Sequence, residues 1–322
     1  MSEIIYDFNG RLKREFPSQV IVDITERCNF ACIHCPHSQF AQSDIYAARD
    51  LSFEVVKKVA DEVHDYGQGY CQQIRFASEG EPFLNKDVYK MLSYTVEQSG
   101  VFVSITTNGS TLTHDNVLKL LDTGISMVDI SIDAYTEETY NKIRVGGNFK
   151  RVVAGVQDLI CTKRELGSKT KVIVSYVKQP DNKHEADDFK HFWEQEGVDY
   201  VVMRDLHTAG GANMQNKMEV FEETRRPCVY PWERVSINPD NKILFCPADW
   251  QGKAEIGDYT KETIHEIWKS DKYQNLRDMH IHNCYADGHM CEECKDWATT
   301  AWPGSDRRGY GDMIAEFTKG DI

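Results

Sequence analysis

The placement of ten cysteines constrains this 322-residue chain more than any other feature. They fall at 28, 32 and 35, singly at 71 and 161, at 228 and 246, and finally at 284, 291 and 294. Two clusters thus flank a long middle with almost no cysteine. Met1 to Arg14 carries charges of both signs and no apolar core, so it does not read as a secretory signal. No apolar run approaches the ~20 residues of a transmembrane helix. The expected setting is cytoplasmic, where grouped cysteines serve as metal ligands or reactive groups rather than disulfides. Acidic residues outnumber basic ones by 51 to 37, a net charge of −14. Such a chain repels phosphate backbones and anionic lipid, which argues against a general nucleic-acid or membrane-surface binder.

The middle alternates strand and helix patterns. Apolar, β-branched runs at 19–25, 72–77, 101–106, 127–133, 171–177 and 199–203 read as strands. Helical spacing recurs at 53–66, 87–99, 114–122, 137–143, 149–166 and 184–195, with Gly100, Gly124 and Gly197 placed as stops. Six such units predict a parallel sheet covered by helices, either doubly wound or an incomplete barrel. Gly210 to Asn213 reads as a linker. Beyond it, Val235–Ile237 and Ile243–Cys246 flank Asn238-Pro239-Asp240-Asn241 and predict a hairpin, followed by a helix near 263–268. The expected division is 1–212 and 213–322.

Cys28, Cys32 and Cys35 follow the first strand with the spacing CxxxCxxC. Three thiolates so close can hold three irons of a [4Fe–4S] cube and leave the fourth iron open for a further ligand. Their spacing also allows a zinc site completed by His34 or His37, or reduced surface thiols.

With Pro36 after it, this motif resembles the signature of radical S-adenosylmethionine (SAM) enzymes. The residue before the last cysteine, usually aromatic in that family, is His34. Ser78-Glu79-Gly80-Glu81-Pro82 resembles the family's GGEP motif, with Glu79 in place of its first glycine. Thr106-Thr107-Asn108-Gly109 resembles its TNG segment, and Ser131-Ile132-Asp133 its ribose-contacting strand end. Arg144 lies where the family often places a carboxylate-binding arginine. The resemblance implies an α/β partial (β/α)6 TIM-type barrel with its site at the C-terminal strand ends. It further implies SAM bound by Gly80, Glu81, Pro82, Thr107, Asn108, Ser131, Asp133 and Arg144, and cleaved to a 5′-deoxyadenosyl radical.

Cys228, Cys246, Cys291 and Cys294 could ligate one [4Fe–4S] cluster or one structural zinc, and spacing does not decide between them. With Trp232, Ile243, Ile267-Trp268 and Leu276-Arg277, they resemble the SPASM/twitch extension of radical SAM enzymes. Only five cysteines lie beyond the barrel, so the likeness is to the shorter twitch form with one auxiliary [4Fe–4S] cluster, as in aminoglycoside-pathway alcohol dehydrogenases. His280, His282 and His289 are the histidines available to a zinc reading. Cys71 and Cys161 read as small buried hydrophobes.

The resemblance implies oxidation of a secondary alcohol of a sugar, cyclitol or nucleotide-linked sugar, with the auxiliary cluster as electron acceptor. A donor such as flavodoxin or ferredoxin would supply the initiating electron. Arg204, Asp205 and His207, at the end of the sixth strand, are candidates for the barrel-mouth proton acceptor. The 27 residues before Cys28 are too few for the leader-binding domain of many peptide-modifying relatives, which favours a small substrate. Two alternatives stand beside this reading. One is a peptide maturase or an epimerase using Cys284 as hydrogen donor; the other is a zinc-stabilised, non-catalytic binding protein.

Overall fold

The computed structural model describes residues 4–213 and 224–318. Six β/α units open it: β1 (Gln19–Val22), α1 (His37–Phe40), α2 (Phe53–Tyr66), β2 (Gln73–Phe76), α3 (Val88–Ser99), β3 (Phe102–Thr107), α4 (His114–Asp122), β4 (Met127–Ser131), α5 (Glu137–Ile143), α6 (Phe149–Glu165), β5 (Lys171–Lys178), α7 (Ala186–Glu196) and β6 (Tyr200–Asp205). Then come α8 (Tyr230–Glu233), β7 (Arg234–Ile237), β8 (Lys242–Leu244), β9 (Glu255–Asp258), α9 (Ile264–Trp268), α10 (Asp271–His282) and α11 (Tyr310–Thr318). Among the described residues no helix is long and apolar enough to cross a membrane.

One sheet carries both parts of the chain. Its order is β6-β5-β4-β3-β2-β1-β7-β8-β9, with β1 to β6 parallel throughout. β1 also pairs in parallel with β7, Val20 against Val235 and Val22 against Ile237. The hairpin β7–β8 and strand β9 are antiparallel. The segment after the barrel therefore extends the barrel's own sheet.

Period-two alternation divides the strand residues between two faces. Val20, Val22, Ile74, Phe76, Val128, Ile130, Val172 and Val174 enter the main core with the helix residues Val56, Val59, Val63, Leu120 and Val156. The alternate residues face the barrel lumen. There Met127 and Ile173 are fully buried against Met313 and Ile314 of α11. The C-terminal helix thus fills the lumen, where a closed barrel would use more strand side chains. Removing most of the side chain in Ile314→Ala should cost about 2–5 kcal/mol. A denaturant midpoint indistinguishable from the parent would contradict the lumen packing of α11.

Candidate functional site

The loop that follows β1 is held against the end of α5. Ala31 N–H donates to Val145 O (2.8 Å) and Ile33 N–H to Ile143 O (3.0 Å). This pairing carries Arg144 onto the cysteines: its Nη1 lies 3.6 Å from Cys32 Sγ, and its guanidinium forms a buried ion pair with Asp133. Asp133 adopts φ +61°, and its Oδ1 accepts from Val177 N–H (2.7 Å). His34 faces the same carboxylate at 3.7 Å and lies 3.4 Å from Gln179 Nε2.

The Gly80-Glu81-Pro82 loop joins this group through Glu81. That buried carboxylate accepts from Thr107 Oγ1 and Asn108 N–H, both at 2.7 Å. Asn108 Nδ2 in turn donates to Asn29 Oδ1 (2.9 Å), inside the cysteine loop. A Cβ on Gly80 would stand 2.0 Å from Thr25 O, so only glycine fits there. Ser131 ends β4 half-buried beside them. The motif residues found by resemblance are thus assembled at the C-terminal ends of β1 to β4.

Glu79 departs from the GGEP pattern without itself taking a strained backbone. The positive φ falls on Ser78 (+137°), whose Oγ donates to Pro247 O (2.8 Å), next to Cys246. Glu79 N–H donates to Asp23 Oδ2 (3.1 Å). Both carboxyls are buried, and burial pushes Asp23 up to about 8 and Glu79 up to about 10, the latter raised further by Asp23, Glu26 and Asp249.

Cys228, Cys246, Cys291 and Cys294 line one cavity, together with Arg225, Tyr230, His280 and His207. Burial pushes all four thiols up, Cys228 to about 12 and Cys294 to about 11; Cys28 and Cys35 rise to about 11 and about 12. Thiols this costly to ionise become ligands only where a cationic centre stabilises the thiolate. Among the described residues no three His, Cys, Asp or Glu side chains converge to hold a single ion. Four thiols lining one cavity are the number that ligates one [4Fe–4S] cluster or one structural zinc. Of the histidines of the zinc reading, His37 Nε2 lies 2.8 Å from Glu26 O, whereas His280 lines the four-cysteine cavity with its Nδ1 3.2 Å from Tyr285 Oη.

The loop after β6 links the two regions. Asp296, two residues beyond Cys294, accepts from Thr208 N–H, Thr208 Oγ1 and Gly210 N–H, each at 2.7 Å. The stretch that reads as a linker is therefore pinned as far as Asn213, whose Nδ2 lies 3.4 Å from His34 O. His207 lines the four-cysteine cavity and also a second cavity of about 680 Å³ beside β6. Its side chain is 53% exposed, yet the space it meets is the interior of these recesses. The surrounding protein holds the imidazole below the ordinary histidine range; Asp296 opposes this and Arg204 adds to it.

The other candidates separate. Arg204 Nη2 donates to the fully buried Asp129 (2.7 Å), and a guanidinium so held is no proton acceptor. Asp205 ends β6, exposed and lining the larger recess. Cys284 lies exposed on the turn after α10 and lines neither recess. Cys71 is buried, whereas Cys161 is exposed on α6, so the buried reading fails there. The polar strand ends did not point to Arg225, Tyr230, Asp129 or Asp296, because only tertiary closure brings these residues to the cavities.

Residues 22–192 match the radical SAM superfamily, and residues 228–296 match the SPASM iron-sulfur cluster-binding domain. The chain belongs to the radical SAM superfamily. Its cofactors are S-adenosylmethionine and [4Fe–4S] clusters. It is 32% identical over 144 residues to the AdoMet-dependent heme synthase of Methanosarcina barkeri (44% of this chain, 39% of that protein). It is 29% identical over 187 residues to the probable GTP 3′,8-cyclase of Methanothermobacter marburgensis (58% and 57%). The chain thus spans about two fifths to three fifths of the length of these curated relatives. BtrN in complex with AdoMet and 2-DOIA shares the fold, with TM-score 0.59 and 20% identity over 86% of this chain and 92% of that one. SuiB of Streptococcus suis bound to the precursor peptide SuiA also shares it, at TM-score 0.67 and 14% identity (88% and 71%).

The Glu79 carboxyl has a folded-state pKa raised above its unfolded value, so the folded state holds its proton longer. Stability from this source is full below the unfolded pKa and falls as pH rises toward about 10. Glu79→Gln removes the titration, so its melting temperature should gain on the parent progressively from pH 5 to pH 9. A gap that stays constant with pH would contradict the buried carboxyl pair.

Proposed function

We propose that the chain is a radical SAM dehydrogenase that oxidises a secondary alcohol of a small polar substrate such as a sugar, cyclitol or nucleotide-linked sugar. In this reading Cys28, Cys32 and Cys35 hold the SAM-cleaving cluster, and Cys228, Cys246, Cys291 and Cys294 hold the auxiliary one. Gly80, Glu81, Pro82, Thr107, Asn108, Ser131, Asp133 and Arg144 form the SAM cradle. Bound there, these groups supply a hydrogen-abstracting 5′-deoxyadenosyl radical and an acceptor for one electron. A flavodoxin- or ferredoxin-type donor supplies the initiating electron.

The observation that carries the reading is the position of His207. It lines the recess beside β6 and also lines the four-cysteine cavity. Loss of the carbinol hydrogen leaves a ketyl radical on the substrate. Its O–H proton must depart before the second electron leaves easily. His207, held neutral near pH 7, takes that proton at Nδ1, its acceptor nitrogen, which exchanges its hydrogen bond from Ala209 N–H (3.0 Å) for the proton. Arg204 and Asp205 border the same recess and orient the substrate's hydroxyls. Asp296, 3.9 Å from His207 Nδ1, faces the ring. The exposed Cys284 lies outside this recess, which takes away the thiol that an epimerase reading calls on.

The test is anaerobic turnover with SAM and reductant across a panel of sugars, sugar phosphates and nucleotide-linked sugars, read by mass spectrometry. The parent should form a product two hydrogens lighter than its substrate. His207→Ala should still release 5′-deoxyadenosine, while carbonyl product falls by about 10²–10⁴-fold. A product of unchanged mass, or full carbonyl yield from His207→Ala, would sink the proposal.

A further inference from the structure

The larger recess beside β6 has a wall whose charge is opposite to that of the molecule. The chain carries −14, yet the side chains lining this cavity include seven basic and four acidic ones. One of the four, Asp199, is already paired with Lys163 and Lys171. The basic excess is built into the lumen itself. Layers of branched apolar residues ordinarily fill the inside of such a barrel. Here Met127 and Ile173 form one apolar level, but Arg75, Asp129 and Arg204 project inward from the next positions of their strands.

Buried guanidiniums need counter-charge, and several bases of this wall have it. Lys190 pairs with Glu194 (3.8 Å), Arg308 with Glu316, and Arg11 with Asp312 (3.2 Å) as well as Glu233. This leaves the surplus on Arg75, Arg204 and Arg307. The fully buried Asp129 serves two of them, Arg204 Nη2 at 2.7 Å and Arg75 Nη2 at 3.5 Å. Glu233 likewise stands between Arg11 (2.9 Å) and Arg234. Other contacts give the arginines shape and hydrogen bonds without charge. Arg75 donates to Thr106 Oγ1 (2.8 Å) and lies 4.2 Å from the Tyr310 ring, and Arg234 lies 4.0 Å from the Tyr230 ring. Arg307 adds an exposed guanidinium at the rim. Arg75 and Arg204 thus share one carboxylate, and Arg307 lines the same recess.

Resting on the dehydrogenase reading above, we infer that the substrate carries a phosphate or diphosphate, bound in this recess by Arg75, Arg204 and Arg307 while its carbinol carbon lies at His207. Guanidiniums bind phosphate oxygens through paired N–H donors. A recess of about 680 Å³ has the size of a small-ligand site. His207 follows Arg204 by three residues, about 10 Å of extended chain. That span holds a sugar ring between the anion and the proton acceptor. Three guanidiniums against the single Asp129 favour a phosphate dianion or diphosphate over a single carboxylate.

The inference is tested by calorimetric binding to the cluster-loaded protein, with no turnover required. The probes are inorganic pyrophosphate, inorganic phosphate, succinate and glucose. Pyrophosphate should bind tightest, weaken as salt rises, and weaken at least about tenfold in Arg307→Gln. Arg75→Gln should weaken it similarly, but this variant also disturbs the Asp129 network. The rim variant Arg307→Gln, outside that network, therefore carries the decision. No pyrophosphate binding, equal binding by Arg307→Gln, or tighter binding of succinate or glucose would overturn the inference. Anion binding without alcohol oxidation would instead sink the dehydrogenase reading and leave the anion site standing.

Discussion

The arrangement depends on one carboxylate. Asp296 lies just beyond the last cysteine of the C-terminal cluster, yet it satisfies three donors in the loop that leaves the final barrel strand. Hydrogen bonds to a charged acceptor contribute about 1.5–3 kcal/mol each. They fix His207 where two cavities meet. The β1–β7 pairing works on a larger scale, because one continuous sheet carries the CxxxCxxC loop after β1 and Cys246 after β8. Together they keep His207 and the four-thiol cavity in register.

Charge is sorted inside the molecule. Carboxyls gather at the junction between the Gly80 loop and the C-terminal segment, where Asp23, Glu79, Glu26 and Asp249 interact. Guanidiniums gather in the lumen and along its opening. A net charge of −14 is a sum over the whole chain. It does not describe the recess, where a small anion meets desolvated donors. Tyr310 joins these levels: its ring lies over Arg75 and near Arg204, while the helix it starts seals the lumen below.

Much of this order was legible in the sequence. Helices 53–66, 114–122 and 137–143 occur as their periodicity predicts, because each buries one apolar stripe on the sheet. The strand-end motifs occur together because a parallel barrel presents all its C-terminal strand ends on one face. Helix α10 went unread: its buried residues Tyr273, Leu276, Arg277 and His280 share one helical face, but two of the four are polar, so the apolar pattern is weak. The lumen arginines and Asp296 were invisible for another reason, since neither periodicity nor spacing reports a partner 75 to 88 residues away. Cys161 shows the limit of residue type alone, being exposed where its helix pattern suggested burial.

The central claim is that oxidation needs the four-cysteine site whereas SAM cleavage does not. The most direct measurement is the ratio of carbonyl product to 5′-deoxyadenosine in Cys246→Ala, with iron counted in the same sample. The parent should hold about eight irons, two four-iron clusters, and give a ratio near one. The variant should hold about four, still release 5′-deoxyadenosine, and give almost no carbonyl product. A variant with four irons that still oxidises the alcohol one-for-one would contradict the account.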